Sequence, residues 1–571
     1  MDVPEFSSRP ITSTTSFARV AYFHYKKQAF VPSSNERPLF NPAQALMTTF
    51  GLIEDAIESV TTDKSLSAPS GTFDITLLPS KNWKQLISPG DWVVIYLYRE
   101  NTPFAFENKN IVLVGNVDRV SRTKQKDEET DKTLVRYNIS GRDFGKVFEE
   151  TDIFANPYLA QTADPGLVNT CLFTAGLPLF GSPSEMVKEV TNVFLSPTGA
   201  NLSGISSAGA TPSIPLGQWA LPIELVGLLG SIGLPTFHTI LNTQIESGLP
   251  GLSTRIAIQP DQSVNLWGYL TRSSNKLINQ IWTDLLRDSD GAVKPTLFLR
   301  PRPCSVFFKS DKDVIKTSSL IDLVESGDFI ELSSDEIYFS NLGRDDETYS
   351  NMIWLRAKMI DGDTAKQQFE NIVMKPGQVG LPMYSREYIL RYGLKRFDDQ
   401  IEFIYDKSAD GGTVDADLYK SFIAFLYDIK GYGRLYETGT IEAAGTINAR
   451  TGMVLRLPSE SPPVSGIESL KLSSPQDDSS KAKLYYVESY RHEWKFPGRW
   501  TTTFSVTQGQ FEDQSNPFVD LETEDFGNLD TDFDKTSLVK TNVPRQDSES
   551  GLVAALGNVG AKNIIPGGIL G

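Results

Sequence analysis

Cysteine and histidine are scarce in this chain of 571 residues. Its two cysteines, Cys171 and Cys304, are too few and too distant for a disulfide scaffold or a metal knuckle, and we expect both to be buried free thiols. The three histidines, His24, His238 and His492, form no zinc-binding pattern. We therefore expect no metal, no cofactor and no catalysis by histidine.

Long apolar runs are also missing. The most apolar window, residues 219–234, is interrupted by a proline and three glycines. It is shorter than the roughly 20 residues that span a bilayer. Residues 1–10 lack the basic stretch and apolar core of a secretory signal. These absences predict a protein without a membrane span that folds in a reducing cytoplasm.

Positive charge is in short supply as well. The chain has 54 Lys and Arg against 71 Asp and Glu, which gives a formal net charge of −17. Affinity for nucleic acid comes mainly from cations that displace counterions, so we do not expect DNA as a bound ligand. An acidic wall would still suit a channel through which DNA passes without sticking.

What the sequence does contain is turn residues and alternating strands. Forty-three glycines and 33 prolines favour many short elements, and the length predicts three or four units. Alternation of apolar and polar residues predicts an antiparallel barrel or sandwich of four strands. They lie at residues 72–77, 92–98, 111–120 and 134–140.

Helices are predicted in four other segments from the spacing of their apolar residues. In residues 41–60, Leu46, Phe50, Ile53, Ile57 and Val60 recur every three or four positions after an N-cap at Asn41 and a proline at Pro42. Similar spacing predicts helices at 183–195, 275–286 and 415–429. The predicted domains are a 1–70 arm and helix, a 71–150 barrel, a 151–290 mainly helical insert, a 291–435 α/β domain, 436–511 elements of a second barrel, and a 512–571 extension.

The strand pattern occurs twice. Gly90 and Asp91 begin the first strand group, which ends with Gly141, Arg142 and Asp143. Gly452 begins a second group of alternating strands, and Gly509 ends it at a similar separation. A duplicated module explains this match, and chance agreement of common glycine-ended strands is the alternative.

The residues of both groups resemble one known family. The first run is Ser-Pro-Gly-Asp-Trp-Val-Val-Ile-Tyr-Leu at 88–97, with Val-Gly-Asn-Val-Asp-Arg-Val at 114–120 and Tyr-Asn-Ile-Ser-Gly-Arg-Asp-Phe at 137–144. It resembles the first tube-like domain of bacteriophage baseplate hub proteins. Four later segments resemble the second tube-like domain of the same hub proteins. They are Gly-Thr-Ile at 439–441, the segment with Arg450 and Gly452, the 485–494 strand with His492, and residues 500–509.

This resemblance implies a fold and a set of partners. The fold is α+β and mainly β, with two tail-tube-like antiparallel β-barrel domains, inserted α/β and helical regions and an extended C-terminal tail. The family implies a homotrimer between the six-fold tail tube protein and a trimeric spike protein, enclosing the DNA channel. We expect it in the virion, at the tail baseplate, after assembly in the host bacterial cytoplasm. A tape measure protein and the baseplate wedge are further candidate partners.

The sequence is compatible with three hypotheses about function. A structural hub without enzymatic activity is favoured; a tail-associated peptidoglycan hydrolase with two carboxylates and a receptor-binding tail tip protein are the alternatives. The C-terminal segment is predicted to become ordered on a partner, because it is too rich in glycine to form a core alone. Its candidate partner-binding residues are Leu552, Val553, Leu556, Ile564, Ile565 and Ile569.

Overall fold

The fold is described from a computed structural model of the chain. The described residues are 15–25, 48–99, 108–126, 133–153, 183–195, 219, 221–231, 236–247, 264–274, 276–288, 291–304, 307–309, 314–344, 349–357, 383–384, 386–401, 425–427, 429–431, 433, 436–458 and 482–512. The six candidate partner-binding residues from Leu552 to Ile569 lie outside them, as do Cys171 and most of the helix predicted at 415–429.

Strands dominate these residues, so the predicted mainly β fold class is confirmed. The strands are β1 (Ser16–Tyr25), β2 (Thr48–Ile53), β3 (Ile57–Ser65), β4 (Thr72–Leu77), β5 (Trp92–Arg99), β6 (Ile111–Lys126), β7 (Thr133–Asp143), β8 (Asp152–Ile153), β9 (Asn242–Ile245), β10 (Val264–Asn265), β11 (Asn279–Arg287), β12 (Val293–Pro301), β13 (Phe307–Lys309), β14 (Val314–Lys316), β15 (Phe329–Glu331), β16 (Ile337–Gly343), β17 (Met352–Ala357), β18 (Met383–Tyr384), β19 (Arg396–Ile401), β20 (Glu437–Ala444), β21 (Val454–Leu457), β22 (Lys483–Lys495) and β23 (Arg499–Phe511).

Helices are short by comparison. They are α1 (Trp83–Leu86), α2 (Lys146–Glu150), α3 (Pro183–Leu195), α4 (Ile223–Leu228), α5 (Phe237–Ile240), α6 (Leu266–Ser273), α7 (Leu320–Glu325) and α8 (Arg386–Tyr392). The helix predicted at 183–195 is confirmed as α3. In the part of the chain that is described, no helix is both long and apolar enough to cross a membrane.

Thirteen strands form one sheet that contains both predicted strand groups. Its main path runs β16-β20-β23-β22-β3-β4-β7-β6-β5-β1-β2, and β21 and β15 branch from β22. All neighbours on the main path are antiparallel, whereas β15 lies parallel to β21. This path brings strands from the two ends of the sequence side by side.

The predicted helix at 41–60 is wrong where the structure describes it, because β2 and β3 occupy residues 48–53 and 57–65. A bulge between Ile57 and Ser59 shifts the alternation of β3 by one residue. As a result, the buried side chains of Ile57 and Val60 lie three positions apart. That spacing imitates one face of a helix, although the residues belong to a strand.

The helix predicted at 275–286 is also wrong, because β11 spans most of that segment and pairs with β12. Four consecutive residues of β11 are buried, so the strand lacks the alternation that marks a sheet with one solvated face. The helix of this region lies earlier, at α6. Its N-cap residue Asn265 accepts a hydrogen bond from the N–H of Gly268 at 2.8 Å.

Two apolar clusters cover the two faces of β5. Val94 and Tyr96 point into a cluster that holds the buried side chains of the helices α2 to α6. Val93 and Ile95 point the other way, into a cluster formed with β3, β4 and β7. Burial on both faces explains the continuous apolar run of this strand. Each such side chain contributes about 1.5–3 kcal/mol.

A second unit comprises residues 309–312, 349–431 and 518–571. In its described part, β17 lies antiparallel to β18 and parallel to β19. Asn351 is fully buried there; its side-chain amide donates to the carbonyl of Gly393 at 2.6 Å and accepts from the N–H of Lys395 at 2.9 Å. These bonds hold Gly393 and Lys395, which lie between α8 and β19, against the buried side chain of Asn351.

Candidate assembly surface

A glycine with a left-handed backbone precedes the corresponding strand of each group. The φ angles are +93° at Gly90 and +77° at Gly452, a region that suits glycine because it has no Cβ. The N–H of Gly90 donates to the carbonyl of Val117, and the N–H of Gly452 donates to that of Val487, both at 2.8 Å. In return, each valine donates to the residue that follows the glycine, at 2.8 and 3.0 Å. The same turn is therefore built twice.

The strands that follow these turns repeat their register. In the pair β6–β7 the register shifts between Val117 and Arg119, and in β22–β23 it shifts between Val487 and Ser489. A bulge of this kind bends a strand and is specific to its position. The two bulges occupy the same place relative to the glycine turns.

A second bulge is found in both β3 and β16, the strands that lie at corresponding ends of the two groups in the sheet. The register of β3 against β4 shifts between Ile57 and Ser59, and that of β16 against β20 shifts between Ile337 and Phe339. The path β3-β4-β7-β6-β5 thus matches β16-β20-β23-β22-β21 strand for strand. The duplication predicted from the sequence is confirmed in strand order and in the positions of these bulges.

The glycine pairing proposed for the last strands is corrected by the register. Gly141 faces Val117, whereas the residue that faces Val487 is Val506, so Gly141 corresponds to Val506 and not to Gly509. In β22–β23 a further register shift occurs near the end of β23, and Gln508 adopts a left-handed φ of +56°. This additional irregularity moves the final glycine out of the repeated register.

One seam joins the two groups inside the chain. β22 pairs antiparallel with β3 from Ser489 opposite Ser65 to Lys495 opposite Ser59. The N–H of Phe496 donates to the carbonyl of Glu58 at 3.0 Å and extends the same ladder. We call this pairing the internal seam. It places the two like sheets edge to edge.

Asp143 forms a buried ion pair behind the internal seam. Its carboxylate accepts a hydrogen bond from the ammonium of Lys64, which also donates to the hydroxyl of Thr283 at 2.8 Å. Burial raises the pKa of Asp143, while Lys64 and the N–H groups of Gly71 and Gly145 oppose that rise. The neighbouring side chain of Arg142 points to the opposite face of the strand, as adjacent residues of a strand do.

Arg142 lies on the other face of β7. Its guanidinium contacts Asp118 at 2.9 Å, Glu149 at 2.5 Å and Glu150 at 2.6 Å. The hydrogen bond that Arg142 donates to Asp118 is the largest cause that raises the pKa of Arg142, and the bonds to the two glutamates add to it. Arg142 therefore ties the end of β7 to β6 and α2 as a permanent cation.

Asp91 locks the first glycine turn. One carboxylate oxygen accepts from the N–H of Ser88 at 2.7 Å and lies 2.8 Å from the Nδ1 of His24. Met453 holds the matching position in the second turn and has no carboxylate to form such contacts. The side chains around the two turns therefore differ, although their backbones match.

Arg450 lies beside the second turn and shares Asp328 with Arg300. The guanidinium of Arg450 contacts one oxygen of Asp328, and that of Arg300 reaches the other at 2.7 Å. Burial, with the nearby Arg300 second, lowers the pKa of Arg450 to about 10. The Cβ of any larger residue at Gly452 would lie 2.6 Å from the ring of Trp282, so close packing also requires this glycine.

His492 is a structural residue of the internal seam. It is 1% exposed, and its Nδ1 lies 2.9 Å from the hydroxyl oxygen of Thr502. Burial, together with the charge of Arg287, lowers the pKa of His492 to about 3. The ring is therefore neutral near pH 7 and holds the pairing of β22 with β23.

Sequence reasoning missed the polar residues of β11. The carboxylate of Asp284 accepts from the N–H and hydroxyl of Thr451, at 2.8 and 2.7 Å, and from the hydroxyl of Tyr490 at 3.0 Å. Arg287 donates to three backbone carbonyls, at Lys109, Ile111 and Ile447, at 2.5 to 2.9 Å. No motif marks these residues, because their partners are 160 or more positions away.

An open cavity of about 350 Å³ adjoins this region. Its lining includes Arg287, Arg450 and His492, together with the carboxylates Asp328 and Glu331. Both carboxylates are held in ion pairs with arginines. Among the described residues, no group of three or more His, Cys, Asp and Glu side chains is arranged to hold a metal ion.

Several strand edges of the large sheet lack a described neighbour, namely those of β2, β15 and β16 and the later half of β6. β16 pairs with β20 on one side, and no described strand lies on the other. β6 pairs with β7 along residues 115–126, but β5 covers its other edge only up to Asn116. Tyr338 and Phe339 of β16 are 58% and 56% exposed. The edges of β16 and β6 are therefore candidate sites for association in the described part of the sheet.

Comparison with known proteins finds no matching family model and no matching curated protein. Several solved structures align with this chain. One is a tail protein from Neisseria meningitidis, with 10% sequence identity and a TM-score of 0.39; the alignment covers 80% of this chain and 93% of that one. A prophage tail protein from Shewanella oneidensis has the same identity and TM-score and covers 86% and 98%. A prophage tail protein from Listeria monocytogenes has 9% identity and a TM-score of 0.33, covering 85% and 94%.

Proposed function

We propose that this chain is a structural subunit of a phage tail, the baseplate hub, and that it acts as a homotrimer. The observation that supports the proposal is the duplicated sheet: one chain carries two groups with the same strand order, bulges and glycine turns, joined edge to edge by the internal seam. A closed ring of three chains would present six like units. Such a ring matches a six-fold partner on one side and a three-fold partner on the other.

The proposed partners follow from this symmetry. The six like units would contact the tail tube protein, and the three-fold arrangement would suit a trimeric spike protein. The net charge of −17 fits an axial channel through which DNA passes without binding. The tape measure protein and the wedge are further partners in this proposal. The protein would assemble in the host cytoplasm and remain in the virion baseplate.

We also propose that the subunit has no enzymatic activity. His492 is buried and neutral near pH 7, and Asp143 is held by Lys64 inside the core. Asp328 beside the cavity is engaged by Arg300 and Arg450. A glycosidase instead needs two accessible carboxylates about 5 to 10 Å apart. Turnover of purified peptidoglycan would contradict this part of the proposal.

The proposal is tested by the mass and shape of the purified protein. Three chains of 63.3 kDa would weigh about 190 kDa by light scattering, alone or with the spike protein of the same phage. Electron microscopy should then show a ring with six similar lobes around an axial opening. A protein that stays monomeric with its spike present, or a ring with three lobes, contradicts the hub function.

The C-terminal segment has a separate test. Leu552, Val553, Leu556, Ile564, Ile565 and Ile569 remain a predicted partner-binding set, which the described residues leave untested. A chain truncated after Asp520 should keep its fold and lose affinity for the spike or the tape measure protein. Unchanged binding of both partners would contradict the prediction.

A further inference from the structure

The internal seam has no described counterpart at the matching place of the other group. In the second group, the half of β22 after the bulge pairs with β3. In the first group, the matching half of β6 is residues 119–125, and no described strand pairs with its outer edge. The strand that matches β3 is β16, whose outer edge is also without a described neighbour. Among the described residues, the duplication thus leaves two complementary edges without a neighbouring strand.

We infer that residues 119–125 of one copy pair antiparallel with β16 of a second copy, in the register of the internal seam. The inference deepens the hub proposal, on which it rests, by naming the contact between copies. Its register follows from the matched bulges: Val117 corresponds to Val487, and Ile57 corresponds to Ile337. We call the inferred pairing the external seam.

The matched positions specify which residues face each other. Within the chain, Glu493 lies opposite Thr61. Position 493 corresponds to Thr123 and position 61 to Asn341, because the register is unbroken from the bulges onward. Thr123 of one copy should therefore lie opposite Asn341 of the next. A shift by one residue would turn every side chain of the added strand to the other face.

The hydrogen-bonding pattern is fixed in the same way. The bond from the N–H of Phe496 to the carbonyl of Glu58 and that from Leu66 to Glu488 mark hydrogen-bonded pairs at both ends of the internal seam. Pairs alternate between bonded and non-bonded along an antiparallel ladder. Thr61 and Glu493 therefore form a non-bonded pair, and so should Thr123 and Asn341. In such a pair the Cα atoms lie about 4.5 Å apart.

Exposure and charge favour the same two edges. Phe339, more than half exposed in the single chain, would lie across from Gln125 at the end of the external seam. Residues 119–125 carry Arg119, Arg122 and Lys124 and no carboxylate. Cations on an edge strand oppose unspecific pairing, so association at this edge calls for a strand that matches it.

Cysteine cross-linking tests the register directly. We would combine Thr123→Cys with Asn341→Cys in a chain that also carries Cys171→Ser and Cys304→Ala, and oxidise the purified oligomer. The expected result is a covalent dimer and trimer that disappear on reduction, since the Cα separation of a non-bonded pair suits a disulfide. Each single variant should remain a single chain in the denaturing gel.

A matched control comes from the internal seam. Thr61→Cys with Glu493→Cys occupies the corresponding pair within one chain, so it should cross-link without any increase in mass. A light-scattering trimer that gives this internal cross-link but none between positions 123 and 341 overturns the inference and leaves the hub proposal standing. A monomer that gives no cross-link between copies, with the spike present, contradicts both.

A backbone variant gives an independent result. Arg122 corresponds to His492, whose pair with Thr62 belongs to the hydrogen-bonded set of the internal seam. The N–H of Arg122 should therefore point to the external seam and away from β7. Arg122→Pro removes that donor and should yield a monomer with an unchanged circular dichroism spectrum. A trimer that persists at the wild-type concentration overturns the inference.

Discussion

The ammonium group of Lys64 donates to the carboxylate of Asp143 at a point where both side chains are about 5% exposed. Removal of one partner would leave a buried charge without compensation. We predict that Lys64→Met lowers the free energy of unfolding by about 3–5 kcal/mol, as measured by denaturant titration. The double variant Lys64→Met with Asp143→Leu should recover most of this loss. Equal losses in the single and double variants would contradict the ion-pair explanation.

His492 predicts a specific pH dependence of stability. Its pKa is lowered to about 3 in the folded chain, against 6.5 in the unfolded one. Above pH 6.5 both states are neutral and the contribution to stability is complete; as the pH falls, the unfolded state takes up a proton first and stability is lost. Between pH 7 and pH 5 the loss should be about 2 kcal/mol.

The variant His492→Gln isolates this contribution, because glutamine does not titrate. The free energy of unfolding of the variant should fall by about 2 kcal/mol less than that of the wild type between pH 7 and pH 5. The other histidines are unchanged in both proteins, so their effects cancel in the comparison. Parallel pH profiles would show that His492 is not the source.

The two turn glycines predict different costs for the same substitution. Alanine at either position must adopt a left-handed backbone, which costs roughly 1–2 kcal/mol. At Gly90 an added Cβ has nothing within 4 Å, whereas at Gly452 it would lie 2.6 Å from Trp282. We expect Gly452→Ala to destabilise the protein by about 1–3 kcal/mol more than Gly90→Ala. Similar melting temperatures for the two variants would contradict the packing argument.

Asp328 is predicted to hold two buried arginines together. Asp328→Ala would leave Arg300 and Arg450 without their shared carboxylate, and we expect a loss of about 3–5 kcal/mol. Glu331→Gln is the control, since the carboxylate of Glu331 is 55% exposed and meets Arg456 at 3.4 Å. Surface pairs of that kind contribute about 0–1 kcal/mol. Chemical denaturation of both variants gives the comparison.

Strands with one solvated face could be predicted from the sequence, whereas interrupted or doubly buried strands could not. The alternation along β7 predicts its bounds well, because successive residues change between a buried and a partly exposed side. In β3 a bulge replaces one step of two by a step of three, and the result imitates a helix. In β11 both faces are covered, so no alternation exists.

The duplication shows a second limit of periodic patterns. The sequence pattern matched Gly141 with Gly509, whereas the register matches Gly141 with Val506. The additional irregularity of β23 near Gln508 displaces the final glycine, and periodicity alone does not reveal it. The glycine turns were predictable from their sequence context. The buried partners Lys64, Asp284 and Asp328 were not, because each acts through residues far away in the sequence.

The internal seam cannot form until almost the whole chain has been synthesised, because it joins strands from opposite ends of the sequence. β3 emerges early from the ribosome, but its partner β22 follows more than 400 residues later. At about 5–20 residues per second, the edge of β3 stays without that partner for roughly 20 to 80 s. During this interval a nascent chain presents an open strand edge to its neighbours on the same messenger RNA. The yield of folded protein should therefore depend on ribosome spacing and on holding chaperones more than on final stability.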